Sequence, residues 1–314
     1  MPTRDFLSEI VDRIHKNERV RSLPYLDYLW NRMGFLREAY YRRRSAPRAI
    51  AIENTTACNR RCPYCPHFWS PRENLVMERS LYDKIIHDLA EIRYQGTMLF
   101  APWSEPLLDP RLPSLVEYAK GHLPGCTVNL LTNGDLLTLE LFRDLRRAGV
   151  RDFDVSDHFK IAGDRYVIDE PAEAARTYQK ADRVEKRSLH FHDLNYKKIR
   201  GLDRFQNRSG AVPLDQCVSV QQACGACQLP EAILTIGHDG RIVLCARQWE
   251  PAPVYGNAGT ERVQDIWRKA EFRHTRRNLR CGIFELDICM RCGLGDLLDP
   301  AEVARLKAER TRPS

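Results

Sequence analysis

No run of this 314-residue chain approaches the roughly 18 consecutive apolar residues that a bilayer-crossing helix requires. Its first residues, MPTRDFLSEIVDRI, carry charge throughout and lack the apolar core of a secretory signal. Both absences predict a cytoplasmic protein with no membrane partner. Internal repeats and low-complexity tracts are missing too, which excludes a solenoid array. Acidic residues are the minority, 42 against 49 Lys and Arg, for a net charge of +7 and a pI near 8.8. The basic excess is partly local, at Arg37, Arg42, Arg43, Arg44 and Arg48. A nucleic-acid partner would require this patch joined to a recognisable fold and to stacking aromatics in register. Neither is found, so the patch reads as a solvated face, with attraction to a phosphate-bearing substrate as the alternative.

What the chain does have is an ordinary core content, 43% apolar against 29% charged, and length for about two domains. Residues 3–45 read as two helical segments divided at Leu23-Pro24. Apolar strands then alternate with helix-length periodic segments. AIAIE (49–53), TMLFA (97–101), TVNLLTN (127–133), DFDVS (152–156) and SLHFHDL (188–194) are expected strands, with helices near 111–121 and 138–148. This alternation implies α/β architecture with a parallel sheet of right-handed crossovers, whose strand C-terminal loops carry the chemistry. After about residue 210 cysteines become frequent. A hairpin is expected in AILTIGHDGRIVLC, turning at HDG, and helices at 261–271 and 300–309. The expected domain boundary lies near 212–222.

Eleven cysteines in a reducing compartment point to metal ligands or catalytic thiols rather than disulfides. Cys58, Cys62 and Cys65 fall in one excursion from the end of the first strand, spaced C-x3-C-x2-C with Tyr64 before the last. A cubane of four irons normally takes four thiolates. Three from one loop leave an iron with an open position, as catalytic metal sites reserve one for substrate. Further along, Cys227 and Cys245 enclose the hairpin, and Cys289 and Cys292 form a C-x2-C pair. On spacing alone, a tetrahedral zinc site and an iron–sulfur cluster both fit these four thiolates.

The first spacing resembles the signature of the radical S-adenosylmethionine (SAM) superfamily, in which the open iron chelates SAM and the cofactor is cleaved to a 5′-deoxyadenosyl radical. The resemblance implies a partial (β/α) barrel over 49–215, a helical extension over 1–48 and a small α+β iron–sulfur domain over 216–314. It also implies that Tyr64 packs against adenine, that Ser104 and Glu105 of WSEP meet the methionine amino group, and that Asn133 of LLTNG and Ser156 lie near the cofactor. WSEP departs from the family pattern in having Ser104 where a glycine is usual. The downstream cysteines, with YGNAGTERVQDIWRKAEF between them, are similar to the twitch form of the SPASM domain. That similarity implies an auxiliary 4Fe-4S cluster on Cys227, Cys245, Cys289 and Cys292, with Cys224 an alternative to Cys227. Two 4Fe-4S clusters and SAM are thus the expected cofactors, with a flavodoxin- or ferredoxin-type electron donor as partner.

From about residue 50 to 293 the chain resembles small twitch enzymes that act on antibiotic sugars and aminocyclitols, among them carbinol dehydrogenases and an epimerase. In that group an arginine in the segment similar to QNRSG (206–210) contacts the carbinol, which implies that role for Arg208. A guanidinium suits hydroxyls because it donates in a fixed fork and stays charged. Trp103 and Arg247 are further candidates to line the substrate pocket. Seven ligands and Cys126 set aside, Cys217, Cys224 and Cys281 remain. Cys281, eight residues before Cys289, resembles the lone hydrogen-donating cysteine of the epimerase. The expected reaction is therefore epimerisation of a carbinol carbon in a sugar, aminocyclitol or sugar-nucleoside. Dehydrogenation to a ketone, with the auxiliary cluster as electron acceptor, is the alternative. A peptide-modifying maturase and a non-enzymatic zinc or electron-transfer protein are the further readings; the short helical 1–48 segment counts against the former's leader-binding domain.

Overall fold

The computed structural model describes residues 46–310 except 101, 158, 163–164, 169–187, 194–197, 200–201, 204 and 250–252. The two helical segments expected within 3–45 lie outside the described residues.

Five strands run parallel: β1 (Ala49–Ile52), β2 (Thr97–Phe100), β3 (Thr127–Thr132), β4 (Val150–Asp157) and β7 (Ser188–Asp193). Two short antiparallel hairpins lie beside this run in sequence, β5 (Phe159–Ala162) with β6 (Arg165–Ile168) and β8 (Lys198–Ile199) with β9 (Leu202–Asp203). In β3 every second residue, Val128, Leu130 and Thr132, is buried, as a pleated strand with one covered face requires. The crossover helices supply the cover. α1 (Arg79–Glu91) buries Tyr82, Ile85, Ile86 and Leu89, a stripe at helical spacing, and α2 (Leu112–His122) buries Leu112, Leu115, Val116 and Ala119. α3 (Leu139–Ala148) starts where Thr138 Oγ1 accepts from Leu141 N at 3.1 Å and stops at Gly149, whose φ of 119° a side chain would resist. Each large side chain buried this way contributes about 1.5–3 kcal/mol. Truncating Phe142, fully buried against Phe153, would cost about 3–5 kcal/mol.

The expected hairpin is present and extends the same sheet. β12 (Ile233–Ile236) lies parallel to β1, and β13 (Arg241–Val243) and β14 (Val254–Asn257) follow antiparallel, giving the order β14-β13-β12-β1-β2-β3-β4-β7. Its turn closes through Gly240 N to Gly237 O at 2.9 Å, with Gly240 at φ 83°. The helix expected at 261–271 is instead two, α4 (Val263–Arg268) and α5 (Ala270–Arg280), broken where Lys269 adopts an extended ψ of 138°. A second sheet, β10 (Phe205–Gln206), β15 (Gly293–Leu297) and β11 (Leu214–Ser219), ties the segment after β9 to the end of the chain before α6 (Pro300–Arg310). The ends of β1, β2, β3 and β4 fall along one edge of the main sheet, and the site lies there.

Candidate cofactor and substrate site

The loop leaving β1 carries Cys58, Cys62 and Cys65. It is braced from within: Cys65 N donates to Cys62 O at 2.9 Å, Arg61 to Cys58 O at 2.8 Å and Trp69 Nε1 to Pro63 O at 2.7 Å. It is also tied to the neighbouring strand ends. Glu105 N donates to Ala57 O at 2.9 Å and Ser104 Oγ donates to Thr55 O. Beyond β3, Asn133 Nδ2 donates to Asn59 Oδ1 at 2.7 Å, and Asp135 accepts from Asn59 and Arg60 at 3.0 and 2.7 Å. A loop of this length would otherwise sample many shapes; these bonds fix the three thiols together.

A cavity of roughly 200 Å³ opens over these thiols. Tyr64, Trp103, Ser104, Glu105, Asn133, Ser156 and Arg208 all line it, so strand-end residues far apart in sequence converge there. Glu105, 2% exposed, accepts from Thr132 Oγ1 and Asn133 N at 2.7 Å and from Leu107 N at 3.1 Å. Burial still raises its pKa above the usual carboxylate range. Tyr64 stacks on Phe205, ring centroids 5.2 Å apart, so its ring forms part of a wall. Trp249 lines the cavity as well, and Arg72 lies over it at 4.6 Å and over Trp103 at 5.6 Å. Arg72 in turn pairs with the fully buried Glu53 at the end of β1, whose carboxylate also accepts from His238 N at 3.3 Å. Trp249 and this Arg72–Glu53 pair were not expected from the sequence. No local spacing marks them, because they meet only through tertiary register.

The second group of thiols forms beside the cavity. Cys227 N donates to Leu279 O at 2.8 Å, Cys292 N to Cys289 O at 3.3 Å and Arg247 to Cys292 Sγ at 3.8 Å. Burial pushes Cys245 up to about 12, with Cys227 and Cys292 raising it further, and Cys289 is raised by burial and by the other three. In the first group burial lifts Cys62 to about 11, with Cys65 and Cys58 adding to it, and raises Cys58 and Cys65. Thiols this protected ionise readily only when a metal displaces the proton, so both donor sets fit thiolate-held metal centres. Among the described residues no three Cys, His, Asp or Glu side chains are arranged around a single ion.

A family model described as the radical SAM superfamily matches residues 52–184, and one for an iron–sulfur cluster-binding domain, SPASM, matches residues 227–293. The chain carries a radical SAM domain. An S-adenosyl-L-methionine-dependent 2-deoxy-scyllo-inosamine dehydrogenase of Niallia circulans is 26% identical over 245 residues, 77% of this chain and 91% of the relative. The crystal structure of BtrN in complex with AdoMet and 2-DOIA matches with a TM-score of 0.67 at 25% identity, covering 79% of this chain and 93% of that one. An AdoMet-dependent heme synthase of Methanosarcina barkeri is 34% identical over 113 residues, 36% of this chain and 31% of the relative. The cofactors of this radical SAM chain are S-adenosylmethionine and two iron–sulfur clusters.

Within the radical SAM frame the remaining candidates separate. Arg208 is half-buried and donates to Ala246 O at 2.9 Å. Burial lowers its pKa, while Cys65 of the first group and Cys245 and Cys292 of the second act on it in the opposite sense. It therefore stands within electrostatic reach of both thiol groups. Arg247 faces Cys292 and is not among the residues lining the cavity. Cys281 caps the C-terminus of α5, is exposed, and does not line the cavity either. Cys217 is exposed on β11. The side chain of Cys224 lies outside the described residues. No helix among those described is long and apolar enough to cross a membrane.

Proposed function

We propose that this radical SAM protein oxidises a carbinol carbon of a sugar or aminocyclitol to the ketone. When bound, SAM and its cluster supply a radical able to remove hydrogen from a C–H bond, and the second cluster supplies a one-electron acceptor. The observation that carries the reading is the position of Arg208, in the wall of the cavity over Cys58, Cys62 and Cys65 and within reach of Cys245 and Cys292. A guanidinium there could hold a hydroxyl between the residues that would carry the first centre and those that would carry the second. The balance is simple: the carbinol loses one hydrogen atom from carbon, one proton from oxygen and one electron.

The protein's own contribution is position and exclusion of water. The guanidinium presents donors in a rigid fork, fixing which C–H is offered. Trp103 and Trp249 form apolar walls that keep a radical away from solvent, and Arg72 holds both indoles. Cys58, Cys62 and Cys65 would hold the first cluster, and Cys227, Cys245, Cys289 and Cys292 the second. Ser104, Glu105, Asn133 and Ser156 face the same cavity and would hold SAM. Electrons enter from a flavodoxin- or ferredoxin-type donor in the same proposal.

Oxidation replaces the expected epimerisation for two reasons. The dehydrogenase of Niallia circulans is similar along 91% of its own length. Inversion needs a hydrogen donor on the opposite face of the substrate, and the cysteine expected to serve is exposed and outside the cavity wall. Anaerobic turnover with candidate aminocyclitols and sugars tests the reading. A product two mass units lighter (one H₂), formed with equimolar 5′-deoxyadenosine, is the expected result; an isobaric product that gains solvent deuterium overturns it.

A further inference from the structure

Asn207 immediately precedes Arg208 and is 8% exposed. Its side chain grips the chain on both sides of Cys292. Oδ1 accepts from Gly293 N and Nδ2 donates to Arg291 O, each at 2.7 Å, and Asn207 N donates to Gly293 O at 3.1 Å. From the other side, Asn207 O accepts from Gly210 N at 3.0 Å and Val212 N at 2.9 Å, closing the turn that displays Arg208.

That turn does not hold itself. Arg208 and Ser209 have φ of 49° and 58°, and Gly210 follows at 90°. Two consecutive non-glycine residues in the left-handed region persist only where their surroundings over-determine them. The surroundings here are the Cys289–Cys292 loop. Gly210 packs against Arg291, whose side-chain atoms lie 3.7–3.8 Å from where a Cβ would be. Gly293 is seated so tightly against β11 that a Cβ there would come 2.3 Å from Cys217 Sγ. The loop therefore has no room to retreat from Asn207.

We infer that Asn207 is a positioning residue, through which the Cys289–Cys292 loop sets the orientation of the Arg208 guanidinium in the cavity. The second thiol group thus does more than accept an electron: the loop that presents two of its sulfurs also holds the substrate-binding arginine in a strained, productive pose. The functional side of this inference rests on the proposed role of Arg208, whereas the mechanical coupling does not.

The test compares anaerobically reconstituted wild type with N207A and the milder N207D, which keeps the acceptor for Gly293 N. Iron content should stay near eight per chain, about four for each cubane. Amide hydrogen exchange at residues 208–212 should accelerate about tenfold or more in N207A, and less in N207D, since opening of the turn exposes them. With substrate, kcat/KM should fall by about tenfold to a hundredfold, while 5′-deoxyadenosine release continues, and N207A should add nothing further to an R208A variant. Unchanged exchange at 208–212, or a full additional loss on top of R208A, overturns the inference. Faster exchange in N207A together with a wild type that oxidises no carbinol sinks the dehydrogenase reading and leaves the coupling standing. If N207A loses iron, the exchange measurement on N207D decides.

Discussion

Trp103 and Arg208 meet at one acceptor. The indole N–H of Trp103 and a guanidinium N–H of Arg208 both donate to Ala246 O, at 2.8 and 2.9 Å. Trp103 comes from the end of β2, Arg208 from the turn before β11, and Ala246 directly follows Cys245. One carbonyl beside a sulfur of the second group therefore fixes two walls of the cavity over the first.

Removing either donor should separate substrate binding from cofactor cleavage. W103F keeps an aromatic side chain, smaller by one ring, but loses the N–H, and one net hydrogen bond is worth about 1 kcal/mol, roughly fivefold in KM. R208K replaces the fork by a point charge and should lower kcat/KM by about tenfold to a hundredfold. Steady-state kinetics with parallel assay of 5′-deoxyadenosine checks both. A proportional loss of 5′-deoxyadenosine would mean that these residues act on the cofactor instead.

The two thiol groups should empty independently. C58A/C62A/C65A should retain about four irons of about eight and form no 5′-deoxyadenosine, and C245A/C292A should also lose about four. The second variant should still cleave SAM but yield no ketone. Iron analysis with product mass reads both outcomes. Full loss of iron from either variant would show that the two centres are not separately assembled.

Much of this site was legible from residue order alone. Apolar runs named β1 to β4 and β7 because strands buried under crossover helices have little freedom of composition. The residues at their ends then fell on one edge, where parallel sheets place their sites. α1 carries an equally readable stripe, Tyr82, Ile85, Ile86 and Leu89, yet only the structure drew notice to it. Other features leave no local trace. The break at Lys269 interrupts a periodic segment with an ordinary lysine. β11 has no alternating pattern, since its register slips between Asp215 and Val218 and Gln216 sits at φ 44°. Trp249, the Arg72–Glu53 pair and the Asn207 grip exist only once distant segments are in register. Cys281 shows the converse: a suggestive sequence position at an exposed helix end.

Cys281 supplies a sharp test of the reaction type. With an exposed side chain outside the cavity wall, C281A should change ketone formation by less than about twofold, as surface substitutions usually do. The product should carry no solvent deuterium at the reacting carbon. A loss of product beyond about a hundredfold, the scale of removing a transfer group, with 5′-deoxyadenosine still formed, would restore epimerisation.

Stability should hinge on a buried charge that does not line the cavity. Glu231 is 7% exposed and is flanked by Arg276 and Arg280, 3% and 6% exposed, with oxygen-to-nitrogen distances of 3.5 and 3.3 Å. Arg276 also lies over the rings of Trp267 and Phe272, at 3.6 and 4.3 Å. Burial outweighs the attraction of Glu231 and lowers the Arg276 pKa to about 10, so this guanidinium is still charged at neutral pH. E231Q leaves two buried cations facing a neutral amide, and breaking a buried pair from one side costs about 3–5 kcal/mol. The loss would fall on the segment carrying Cys227, whose backbone N bonds to Leu279 on the same helix as both arginines. Anaerobic urea denaturation of E231Q should show a lower midpoint with an unchanged slope, whereas E302Q, which removes one of the two carboxylates paired with the exposed Arg305 on α6, should not move it. An unmoved midpoint in E231Q would mean that the two guanidiniums find other partners or water, and that the buried carboxylate is dispensable.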